Sequence, residues 1–147
     1  MKLLKLYGWI AGSQADFLKP FKENENLYKQ ATVFWNKLES NSSIILLICV
    51  FLGILMASYY YSTYNNKPGR HYTPKHWVIM LLVTFILVFA VTFIFEYFAV
   101  EPRINSSIML EAKIALGNSI YAVIVYFITS IVWCNALPTN AYKLFKF

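Results

Sequence analysis

"HWVIMLLVTFILVFAVTFIFEYFAVEPR", residues His76 to Arg103, decides the fold class. No charged residue occurs from Trp77 to Phe95. As a helix that run is about 28 Å long at ~1.5 Å per residue, close to the ~30 Å of a bilayer's hydrocarbon core. The first carboxylate, Glu96, arrives where the far interface would, with Glu101, Pro102 and Arg103 just beyond it. On length alone Glu96 reads as a boundary residue, placed to pair with Arg103 or to ring a pore mouth. A proton or ion path would need polar neighbours on the same helical face. Stepping back from Glu96, that face offers Thr92, Phe89, Phe85 and Leu81, and only Thr92 could relay anything.

Two more gaps in the charge distribution, Ser40 to Asn66 and Ile114 to Tyr142, flank this one. Spans are expected near residues 43–61, 77–95 and 115–135. Lipid offers no partner to an unpaired backbone group, and three segments cannot close a barrel, so each span must be a helix. The expected fold is an all-α integral membrane protein with three transmembrane helices and an N-terminal amphipathic, interfacial helical segment. Residues 1–42 would form that segment and residues 43–147 the membrane domain.

Composition agrees. The chain is 59% hydrophobic and 14% charged, against about a quarter charged in soluble proteins. Its net charge of +6 comes from lysines scattered along a hydrophobic chain rather than gathered in a basic stripe, so anionic lipid headgroups fit better than nucleic acid. Cys49 and Cys134 fall inside expected spans without C-x-x-C spacing, which leaves no basis for a disulfide framework or a zinc site. His71 and His76 sit in a basic loop without acidic or thiol neighbours, where headgroup contact is the natural reading. No cofactor motif, nucleotide loop, hydrolase signature or repeat occurs, and no small-molecule substrate is evident. Lys5 interrupts the short apolar stretch at the start, so it reads poorly as a cleaved leader. The sequons at Asn41 and Asn105 border spans and are assigned no glycan. The bias to Asn, Lys, Tyr, Phe and Ile fits an AT-rich microbial or phage genome, and the expected location is a bacterial inner membrane.

Within residues 1–42, Leu27, Ala31, Phe34, Trp35 and Leu38 share one face of a helix, with Lys29, Asn36 and Lys37 off it. This is expected to lie on the membrane surface, although the same stripe could dock on a protein. Pro20 separates it from a first helical stretch containing Leu3, Leu6, Tyr7 and Ile10. Between the first two spans, Pro68-Gly69 can make a tight reversal, with Tyr59, Tyr60, Tyr61, Tyr64 and Trp77 expected at headgroup level. After Pro102, Ser106 or Ser107 can cap a helix that continues into the third span.

The third span is the most patterned. Ala115, Ser119, Ala122, Tyr126, Thr129 and Trp133 recur at spacings of four and three, opposite a greasier side. Cys49, Gly53 and Ala57 form a small-xxx-small ladder on the first span. The first and third helices are expected to pack through these seams, with the bulky second helix left largely in lipid. Asn118 can bond helices together. The functional expectation is a non-catalytic structural or anchoring subunit of an oligomeric inner-membrane complex, with one seam serving other membrane subunits, as homo- or hetero-oligomer. The alternatives are a self-assembling pore lined around Asn118, Ser119 and Thr129 or a membrane-perturbing effector, and a small membrane immunity or regulatory protein. The two sides of the membrane carry nearly equal positive charge, and exporting a long lysine-bearing tail is the harder task, so the N-terminus is expected inside.

Overall fold

A computed structural model describes residues 3–67 and 74–147. The expected reversal at Pro68-Gly69 and the loop residue His71 lie outside the described residues. Everything regular among the described residues is helical: α1 (Gly8–Ala11), α2 (Gln14–Leu18), α3 (Glu25–Ser40), α4 (Ser42–Tyr59), α5 (Pro74–Ala99) and α6 (Ser107–Ala136). Short 3₁₀ turns at Leu3–Tyr7 and Lys19–Phe21 join the first of these, and a π-helical turn, Tyr60–Tyr64, extends α4. Three helices, Ser42–Tyr64 including that turn, Pro74–Ala99 and Ser107–Ala136, are long and apolar enough to cross a membrane. The last has 30 residues, about 45 Å of helix and longer than a bilayer core requires.

Local signals account for the helix starts. Ser13 and Asp16 form a capping box before α2, in which the Ser13 hydroxyl and backbone N–H both donate to the Asp16 carboxylate. Those bonds, the side-chain one foremost, hold the Asp16 carboxyl below the usual range. The Asn24 side-chain oxygen accepts from the backbone N–H groups of Asn26 and Leu27, each at 3.1 Å, opening α3. A single residue, Asn41, separates α3 from α4, its N–H bonded to the Lys37 carbonyl at 3.1 Å. The expected boundary between residues 42 and 43 lies beside this junction.

The chain folds as two compact units, Met1–Leu47 with Phe89–Asn118, and Ile48–Val88 with Ser119–Phe147. Each takes part of all three long helices. In the first unit the apolar face of α3 is turned into the protein. Ala31, Phe34, Trp35 and Leu38 are buried, while Leu27 is exposed. Phe17 lies against Phe34 and Trp35 at ring separations of 5.9 and 5.6 Å, and Ala31 clusters with Leu18 and Ile104. The expected placement of this stripe on the lipid surface is therefore corrected for four of its five residues. A capped N-terminal segment returns to cover them, and an apolar face is satisfied as well by neighbouring protein as by lipid.

In the second unit the small-residue ladder of α4 meets α6. Cys49, Gly53 and Ala57 are all buried. A methyl group added to Gly53 would lie 2.9 Å from a Val125 methyl and 3.0 Å from the Ala122 carbonyl, so the two helices approach as closely as a glycine allows. Tyr60 and Tyr61, expected at headgroup level, instead form a core with Trp77, Met80 and Tyr126. The π turn explains this. The Asn65 N–H bonds the Tyr60 carbonyl at 3.0 Å, five residues back, and the widened turn lets two adjacent tyrosines face inward.

Candidate functional site

The polar residues of the first unit converge on Asn118. Its amide nitrogen donates to the Ile45 carbonyl on α4 at 2.9 Å and to the Thr92 hydroxyl on α5 at 2.8 Å. Its amide oxygen accepts from the Tyr7 hydroxyl at 2.8 Å. All of these bonds are buried, so one side chain on α6 ties the other two long helices and the N-terminal segment together. Gly117 beside it makes the seat for Tyr7, since a Cβ there would come within 3.1 Å of the tyrosine ring.

One turn from Thr92 on α5 stands Glu96. It is 0% exposed, and neither carboxyl oxygen has a hydrogen-bond partner. Two turns before Asn118 on α6 stands Glu111, also 0% exposed. Glu111 is within electrostatic reach of Glu96. Arg103, from the segment joining α5 to α6, approaches Glu111 Oε1 at 3.5 Å. The same guanidinium donates to the Tyr97 carbonyl and lies over the Tyr97 ring, 3.4 Å from its centroid.

This corrects the expected boundary pair of Glu96 and Arg103. The arginine reaches Glu111 instead, because a further turn of helix past Ser107 brings that carboxylate to the end of the connecting segment. The second helix is, as expected, the least enclosed by protein of the three, and its inner face is narrow. Trp77, Met80, Thr84, Val88, Thr92 and Glu96 form a buried line at steps of three, then four. That line, rather than the one through Phe89, Phe85 and Leu81, is the inner face.

On α6 the buried side chains include Ala115, Ser119, Ala122 and Tyr126, and then Ser130 and Cys134 in place of the expected Thr129 and Trp133. Thr129 and Trp133 are partly exposed. The Trp77 indole N–H donates to Ser130 at 3.1 Å, the Cys134 thiol to the Tyr61 hydroxyl at 3.4 Å, and Trp133 stacks on Tyr61 at 6.1 Å. The seam residues on both helices are thus packed within one chain, which removes most of them as a surface for another subunit. Both cysteines are free and buried, and no group of three His, Cys, Asp or Glu side chains suited to a metal occurs among the described residues.

Sequence reasoning missed Tyr7, Gly117 and Glu111 as members of this site. Glu111 was visible as an acidic residue one turn after a serine in an apolar context, but its burial depends on the helix beginning at Ser107. No family model matches the chain, and neither a curated protein nor a solved structure shows significant similarity to it.

Proposed function

We propose that the chain is a non-catalytic integral membrane subunit that anchors or scaffolds a larger assembly, its three long helices embedded in a bacterial inner membrane. The observation that carries this reading is the Asn118 node, in which one amide joins α4, α5, α6 and the N-terminal segment. Its polar groups are spent on holding the fold together, and the outward faces of the long helices present side chains such as Leu47, Phe51, Ile86 and Ile128. A rigid core with an apolar exterior is what a membrane anchor requires. The pore reading is weaker, because Asn118 and Ser119 are enclosed inside a single chain and Asn118 is committed to bonds within it.

Partner contact then falls to surfaces other than the seams. Outside the long helices, Leu27 and Val33 on α3 stay exposed beside the cationic Lys29 and Lys37. Extraction from native membranes into lipid nanodiscs, followed by particle mass measurement, tests the proposal. A protein mass above the 17.1 kDa of one chain once scaffold and lipid are subtracted, owed to a reproducible co-purifying membrane protein or to further copies, is the expected result. A solitary monomer across mild extraction conditions would refute it.

A further inference from the structure

The buried carboxyls of the first unit are not explained by anchoring. Three of their four oxygens, both of Glu96 and Oε2 of Glu111, have no hydrogen-bond partner. Ser107 is an independent observation on the same helix as Glu111. It is 1% exposed, its hydroxyl oxygen is also unpartnered, and it lies one helical turn before Glu111, on the same buried face of α6. Interiors rarely leave polar atoms unsatisfied, and a group of them points to something that satisfies them.

The chemistry of that something follows from the inventory of groups. Carboxylate oxygens only accept, and a serine oxygen accepts as readily as it donates, so the site offers oxygen lone pairs and almost no N–H. An anion or an amide-bearing ligand would meet the wrong polarity. Two carboxylates against the single guanidinium of Arg103 leave one negative charge, and Arg103 is divided among Glu111 and the Tyr97 carbonyl and ring. An uncompensated charge inside an apolar interior costs at least several kcal/mol. A calcium ion would want roughly six to eight oxygens and magnesium a strict octahedron. Four oxygens and one residual charge suit a smaller demand. Towards Asn118, the Thr92 hydroxyl oxygen already accepts from the Asn118 amide.

We propose that Glu96, Glu111 and Ser107 form a buried binding site for one monovalent cation, a proton or a sodium ion. Among the described residues, Glu111 on α6 is the charged group that acts on Glu96, and Arg103 acts on Glu111 from the connecting segment.

The full chain in nanodiscs provides the test, with two readouts. The first is thermal melting at constant ionic strength, comparing sodium with potassium and stepping the pH. A cation that binds the folded state raises Tm by about 5 °C when saturating. Glu96→Gln, which carries a neutral side chain of the same shape, loses that dependence, while Glu101→Gln on the exposed connection retains it. The second is labelling by a hydrophobic carbodiimide, which reacts with protonated acids, located by peptide mass spectrometry in the unmodified protein, so that it holds even where a variant fails to fold. Labelling at Glu96 that sodium suppresses and potassium does not assigns the site to sodium. Labelling that responds to pH alone assigns it to a proton. A Tm with equal pH and sodium dependence in wild type and Glu96→Gln, together with Glu96 labelled no faster than Glu101, overturns the proposal.

Discussion

Asn118 shows how much one side chain can do in an apolar setting. Interhelical hydrogen bonds inside membrane proteins contribute about 0.6 kcal/mol each on average. Asn118 makes three, so Asn118→Ala should destabilise the fold by about 2 kcal/mol, measured by reversible unfolding in mixed micelles. An unchanged unfolding midpoint would mean that the node is incidental. The amide was conspicuous in the sequence as the polar member of an otherwise small and apolar run, and its bonding role could be read there. Its partners could not. Tyr7 lies 111 residues away, and no local pattern announces a contact of that range. The pairing of Glu96 was misread for a related reason. Counting residues along one helix places a carboxylate at an interface, but burial is decided by what else arrives there, here the first turns of α6 and the connecting segment.

The long helices were legible because charge-free length is a property of the sequence alone. Their inner faces were legible only in part. The ladder of Cys49, Gly53 and Ala57 announced a close approach, since small residues four apart leave a groove, and the structure puts Ala122 and Val125 into it. Gly53→Leu should cost about 1 to 3 kcal/mol through overpacking, with part of the loss restored by Val125→Ala and the remainder owed to the Ala122 carbonyl, which cannot move aside. Thermal melts of the two single variants and the double variant would separate these shares; strict additivity would deny that the residues meet. On α6, alternating steps of four and three led to Thr129 and Trp133. The buried line steps by four from Asn118 to Ala122, Tyr126, Ser130 and Cys134, as happens when ridges of residues four apart pack across a neighbour at an angle. Period alone does not contain the crossing angle, which is why the drift was missed. The apolar face of α3 was found correctly and its neighbour was not, because an amphipathic stripe reports that something covers it without saying what.

For the molecule as a whole, three long apolar helices put the two ends of the chain on opposite sides of a bilayer if each one crosses. Reporter fusions at Ser13 and Phe147 should therefore give opposite signals, with the fusion at Ser13 cytoplasmic. Matching signals would mean that one of the three helices does not span. The fold class was open to sequence reading because hydrocarbon imposes so strong a constraint on backbone polarity, whereas the way the chain divides into two packed units rests on contacts between distant segments. The junction of α3 and α4 bears on how such a molecule would respond to its surroundings. Asn41 alone stands between a 16-residue helix and the first long apolar one, in near-helical geometry with φ −85° and ψ −3°. With no loop there to take up slack, any force that tilts α3 is applied to α4 as a lever is to its shaft.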